Sequence, residues 1–241
     1  ISTLCWGKDI SAEELIRLML KLQKEGAHNI NLVTPTHFTL QIKDAIIQAK
    51  EKGLTIPVLW NSSAYEKVET LQTLNGLVDI YMPDLKYAHQ VYAQKYSSAP
   101  DYPAVAISAI KEMYSQVGLL TLDEKGIAQK GLLIRMLVLP NKLAGCKENL
   151  RTLADELGTE LTLSLMGQYY PAGKAKNCKE LSRGISETEY YDVVDTAIEI
   201  GLTNLYTQEI SSSDIWTPDF SPTPQEINPL SEFNPQSELT Q

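Results

Sequence analysis

The chain has 241 residues, 43% of them hydrophobic, and a formal net charge of −9, enough apolar mass for one large domain with a substantial core. The charge is uneven: Glu209, Asp214, Asp219, Glu226, Glu232 and Glu238, with no Lys or Arg beside them, give residues 209–241 a charge of −6 and leave −3 for residues 1–208. There is no basic patch for nucleic acid, no apolar run near the roughly 20 residues of a membrane span, and no secretory pattern in the opening residues, so a cytoplasmic protein without nucleic-acid or membrane partners is expected.

Ile1–Lys8 reads as the middle of a loop, and with Ile rather than Met at its head the chain is expected to be a fragment or a processed product. Ser11-Ala12-Glu13-Glu14 is a capping box that opens a helix carrying Leu15, Leu18, Met19 and Leu22 and closing at Gly26. A strand at Ile30–Val33 stops at the polar turn Thr34-Pro35-Thr36-His37, and a second helix runs from about Leu40 to Gly53. The same grammar recurs: strand Ile56–Trp60, turn Asn61-Ser62-Ser63 and a helix over Tyr65–Leu74; then strand Val78–Met82 and turn Pro83-Asp84-Leu85-Lys86. Helices near His89–Tyr96 and Pro103–Val117 follow, with Pro103 in a first turn.

Leu119–Leu122 and Ile127–Lys130 predict a small hairpin about Gly126, and Leu132–Leu139 a separate strand broken in its apolarity only by Arg135. A helix near Lys147–Leu157 and a strand at Leu161–Leu165 lead into a long irregular segment, Met166–Gly184, a length usually reserved for function. Ser186-Glu187-Thr188-Glu189 opens a last helix, and Asn204–Tyr206 is a last strand. Residues 1–208 are thus one domain, while residues 209–241, rich in Ser, Pro, Gln, Asn and acid, are expected to be a disordered tail.

Strand–helix alternation, with strands read as buried on both faces, predicts a parallel sheet, as an open or partial (β/α) barrel or a doubly wound sheet. Every strand-to-helix turn then falls on one edge, where such folds bind ligands. That edge collects Thr34, Thr36, His37, Asn61, Ser62, Ser63, Asp84, Lys86, Asn141, Gln168, Tyr169, Tyr170, Thr207 and Gln208, a set suited to a polar, partly anionic small molecule. Plainer roles remain open. Thr34 and Thr36 can cap the next helix, His37 can be a surface histidine, and Asp84 and Lys86 a solvated pair. Arg135 needs a carboxylate across the sheet or a place facing the site. A Schiff-base lyase using Lys86, or a non-catalytic binding barrel, are further readings. No Gly-rich phosphate loop is present, and Cys5, Cys146 and Cys178 make neither a disulfide framework nor a metal spacing.

Four stretches together, Asn29-Ile30-Asn31-Leu32-Val33-Thr34-Pro35-Thr36-His37, Asn61-Ser62-Ser63-Ala64-Tyr65-Glu66, Val78-Asp79-Ile80-Tyr81-Met82-Pro83-Asp84-Leu85-Lys86-Tyr87 and Met166-Gly167-Gln168-Tyr169-Tyr170-Pro171, carry a resemblance. They resemble the radical S-adenosylmethionine (SAM) proteins related to pyruvate formate-lyase activating enzyme, in the branch where Thr-Pro-Thr-His replaces a Gly-Gly-Glu turn. The likeness runs from Ile10 to Gln208. It implies a partial (β/α)6 barrel, and a [4Fe–4S] cluster held by C-x-x-x-C-x-x-C with SAM on its open iron. It also implies a 5′-deoxyadenosyl radical that abstracts hydrogen, often from a glycine of a partner enzyme. By position, Thr34, Thr36 and His37 resemble the turn receiving the SAM amino group, and Lys86, after Asp84, the lysine on its carboxylate. Asn61, Ser62, Gln168 and Tyr169 match turns lining the SAM or substrate side, and Arg135 a strand residue of the activating enzymes. The cysteine motif itself is absent, so the first strand and the cluster ligands are expected upstream of Ile1, and this chain alone is expected to be inactive.

Overall fold

The computed structural model describes residues 9–208. Both capping boxes form. The Ser11 hydroxyl accepts from the Glu14 N–H at 3.1 Å while the Ser11 N–H donates to Glu14 Oε2 at 3.2 Å, which starts α1 (Ala12–Lys24). Ser186 and Glu189 repeat the arrangement at the head of α7 (Glu187–Ile200). Each box satisfies amides that an open helix end leaves bare.

Between them run β1 (Ile30–Val33), α2 (Thr39–Glu51), β2 (Val58–Ser62), α3 (Val68–Gln72), β3 (Ile80–Pro83), α4 (Gln90–Ser97) and α5 (Tyr102–Val117). Then come β4 (Thr121–Leu122), β5 (Ala128–Leu137), α6 (Cys146–Leu157), β6 (Thr162–Met166) and, after α7, β7 (Leu205–Tyr206). The sheet order is β1-β2-β3-β5-β6-β7, every neighbouring pair parallel, with β4 antiparallel on β5. The parallel α/β sheet expected from the sequence is therefore present.

Three local readings change. The expected hairpin strand and the strand after it are one continuous β5. Gly131 makes this possible: at φ 120° it lies where a Cβ would sit 2.3 Å from the Leu119 carbonyl oxygen, so only glycine lets that backbone approach. The helix expected over Tyr65–Leu74 shrinks to α3, because Ala64 is left-handed (φ 59°) and Glu66 is buried. Asn61 and Ser62 belong to the end of β2 rather than to the turn after it.

The strands are also not buried equally on both faces. On one face Trp60, Tyr81, Ile134 and Leu163 are fully buried, and α5 packs onto β3 and β5. The register puts Asn61 beside Met82, Asp84 beside Arg135, and Arg135 beside Ser164 on the other face, and these are only half-buried. One covered face and one open face is the arrangement of a partial barrel, not of a doubly wound sheet. The open face has an apolar floor at Leu59 and Ile80 and a polar rim at the carboxyl ends of its strands. The tail expected at residues 209–241, and Cys5, lie outside the described residues.

Candidate functional site at the strand ends

The rim is built around one ion network. Arg135, inside β5, donates from Nε to Asp84 Oδ1 at 2.8 Å and from Nη2 to Asn61 Oδ1 at 2.8 Å. Its Nη2 also lies 2.7 Å from Asp84 Oδ1, so the fork grips the carboxylate. Lys86 Nζ holds the other carboxylate oxygen, Oδ2, at 3.0 Å. Side-chain exposures of 25% for Arg135 and 23% for Asp84, against 45% for Lys86, make Lys86 the outward member. Two cations on one carboxylate leave one positive charge unspent beside the open face. Of the two sequence readings of Arg135, the pairing with a carboxylate across the sheet is present, and the pair lies on the half-buried open face. The Schiff-base reading of Lys86 asks for a buried amine, and this one is half-exposed on a carboxylate.

A second network fixes the wall. Glu66, 3% exposed, accepts from Thr36 Oγ1 at 2.9 Å, from Trp60 Nε1 at 3.0 Å and from Ser62 Oγ at 2.5 Å. One buried carboxylate thereby ties the turn after β1 to the end of β2. Thr36 is an anchor rather than a helix cap. Thr34 does not cap either: its side chain makes no capping bond, and it sits left-handed at φ 55° while its N–H donates to the Asn61 carbonyl at 2.8 Å. A β-branched residue there is strained, and such strain concentrates at binding sites. His37 is exposed and lies outside both networks.

Tyr102, buried at the start of α5, holds the Lys86 turn. Its hydroxyl accepts from the Lys86 N–H at 2.9 Å, and its single proton is shared between the carbonyls of Asp84 at 2.7 Å and Ser63 at 2.9 Å. Burial pushes its phenol well above the ordinary tyrosine range, so it stays a neutral donor. The sequence reading missed Glu66 and Tyr102. The signal for Glu66 was available, since a lone carboxylate sits four residues after Ser62 in the motif Asn61–Glu66.

Gln168 and Tyr169 belong to the same rim but to a different cluster. Gln168 Oε1 accepts from Gln208 Nε2 at 2.9 Å, and the Tyr169 hydroxyl donates to the Leu181 carbonyl at 2.8 Å. The long segment they begin is strapped down. Glu180 takes Lys95 Nζ at 2.5 Å and the Tyr96 hydroxyl at 2.6 Å. Arg183 reaches Glu189 Oε2 at 2.7 Å and Oε1 at 2.8 Å. A hollow of about 380 Å³ behind this strap is lined by Lys142, Lys147 and Asp192, but Asp192 already holds both lysines.

The Arg183 guanidinium, helped by the Ser186 and Asn141 amides, lowers the Glu189 carboxyl from 4.5 to about 2. A carboxylate depressed by folding stabilises the fold above its unfolded value and loses that contribution as pH falls through the folded one. The strap should therefore hold down to about pH 4.5 and loosen between there and about pH 2. An NMR titration of the Glu189 side chain should show the low midpoint, and Arg183→Gln should move it back toward the ordinary range.

The rim suits an anionic group such as a carboxylate, for which it has one cation in surplus. It does not suit an iron–sulfur cluster. Among the described residues there is no group of three metal-ligating side chains. Cys146 is buried, which pushes its thiol up to about 12, and Cys178 is far from it in the chain.

With one covered face, an open face and a polar carboxyl-end rim, the chain has the fold of a partial parallel α/β barrel. It is similar to the crystal structure of HydG, a maturase of the [FeFe]-hydrogenase, with a TM-score of 0.54 at 15% identity over 83% of this chain and 45% of that one. In sequence it is 28% identical over 184 residues to the uncharacterized protein MJ0674 of Methanocaldococcus jannaschii, covering 76% of this chain and 48% of that protein. The chain thus spans about half the length of this relative. No family model matches it.

Proposed function

We propose that this chain is the body of a radical SAM enzyme of the activating-enzyme type, whose open face holds S-adenosylmethionine. The observation that carries the reading is the Lys86–Asp84–Arg135–Asn61 network, which leaves one cation in surplus at the strand ends. Lys86 then takes the methionyl carboxylate, swinging from Asp84, while Arg135 keeps that carboxylate neutralised. Thr34 to His37, braced by Glu66, form the wall for the amino end, and Gln168 and Tyr169 the opposite rim. In enzymes of this type bound SAM is the source of a 5′-deoxyadenosyl radical that abstracts hydrogen, here from a glycine of a protein substrate.

Among the described residues Cys146 and Cys178 form no cluster site, and the reading assigns the [4Fe–4S] ligands to sequence preceding Ile1. Anaerobic iron–sulfur reconstitution of the protein encoded by the complete gene tests it: SAM should be converted to 5′-deoxyadenosine. A complete gene without C-x-x-x-C-x-x-C, or a reconstituted protein that forms no 5′-deoxyadenosine, would leave the barrel as a non-catalytic SAM-binding module.

A further inference from the structure

The rim carries a row of cations that none of the networks above uses. Lys174, Lys176 and Lys179 are exposed, and none of them has an ion-pair partner among the described residues. Lys176 only overhangs the ring of Tyr170, at 5.9 Å. Their basic neighbours are neutralised: Lys95 by Glu180, Lys142 and Lys147 by Asp192, and Arg183 by Glu189. The row is also held in place, because Glu180 is fixed by Lys95 and Tyr96 and its carbonyl accepts from Asn141 Nδ2 at 2.8 Å.

The described chain ends at the root of this same segment. Gln208 accepts from the Gly167 N–H at 3.0 Å, donates to Gln168 at 2.9 Å, and donates its own N–H to the Tyr190 hydroxyl at 2.8 Å. The next 33 residues hold six carboxylates and no Lys or Arg.

We propose that Lys174, Lys176 and Lys179 form a docking surface for the chain's own acidic segment 209–241, with Glu209, Asp214 and Asp219 as the first carboxylates in reach. At about 3.3 Å per residue, Asp219 lies at most about 36 Å from Gln208, and Lys179 no farther than that from Gln168. The tether gives these carboxylates an effective concentration of about millimolar, which an untethered acidic partner must exceed. The placement does not depend on SAM being the ligand of the rim.

Carbodiimide cross-linking of the full chain at low salt, read by mass spectrometry, tests the placement. Links from Glu209, Asp214 and Asp219 should go to Lys174, Lys176 and Lys179 within one chain, and should fall several-fold in 0.5 M salt, where screening shortens to a few ångströms. Equal linking to the exposed Lys67 and Lys130, or links found only in dimers, overturns the proposal. A second measurement uses a fluorescent oligo-glutamate peptide as the probe. The triple variant Glu209→Gln, Asp214→Asn, Asp219→Asn should bind it several-fold tighter than the parent, because the surface is uncovered. A control with the same charge change, Glu13→Gln, Glu51→Gln, Glu69→Gln, should not. Equal binding by the tail variant and the control also overturns the proposal.

Discussion

Glu66→Ala is expected to destabilise the barrel by about 4 kcal/mol, the largest effect of any single change at the rim. Three donors converge on this carboxylate, and two come from residues that cannot reach water: Trp60 is 0% exposed and Ser62 4%. Leaving a buried donor unpaired costs about 1–3 kcal/mol each, and the missing side chain adds a cavity. Thr36 contributes less, because it lies at the half-buried edge and can turn to solvent. Urea unfolding measures the loss, and a domain of this size should melt about 10 °C lower. Glu66→Gln keeps the volume and one acceptor oxygen but turns an amide toward the other donors, so it should cost roughly half as much. A loss under about 1 kcal/mol for the alanine variant would mean that the three bonds are not what holds the turn to β2.

Glu66 also marks where sequence reading stops. The strand–turn–helix grammar, both capping boxes and the polar strand ends were legible because each is a local signal: a period, a cap, a break in an apolar run. The open face was not. Leu132–Leu139 reads as apolar apart from Arg135, yet Ile134 and Met136 are buried while Leu133 and Leu137 face the half-exposed side. Only the pairing register reveals this. Glu66 and Asp84 are carboxylates, which default to solvent in any sequence argument. Ser62, four residues before Glu66, was within reach of a spacing rule, but Thr36 lies 30 residues from Glu66 and Arg135 lies 51 from Asp84, beyond any such rule. For the same reason the collected turn residues looked like one set. The fold splits them into the Arg135 network, the Glu66 wall and the Gln168–Gln208 corner, and leaves His37 outside.

Arg135→Met separates structure from binding at that network. Methionine fills the stem's volume but leaves Asp84 with Lys86 alone and removes the donor that Asn61 Oδ1 accepts from. Breaking a fully buried pair costs about 3–5 kcal/mol; at 25% and 23% exposure part of that is screened, so about 2 kcal/mol is expected in urea unfolding. Lys86 would then be held on Asp84 as its sole partner, and the surplus charge would be gone. If the rim holds SAM through a carboxylate, affinity should fall at least tenfold, about 1.4 kcal/mol. Asp84→Asn is the counter-experiment. It breaks the same ion pair and should cost similar stability, but it leaves two unneutralised cations facing the ligand. Carboxylate binding should then be kept or strengthened. Equal losses of SAM affinity in both variants would make the network a scaffold only. Opposite shifts at equal stability cost would identify its spare charge as the group that holds the ligand.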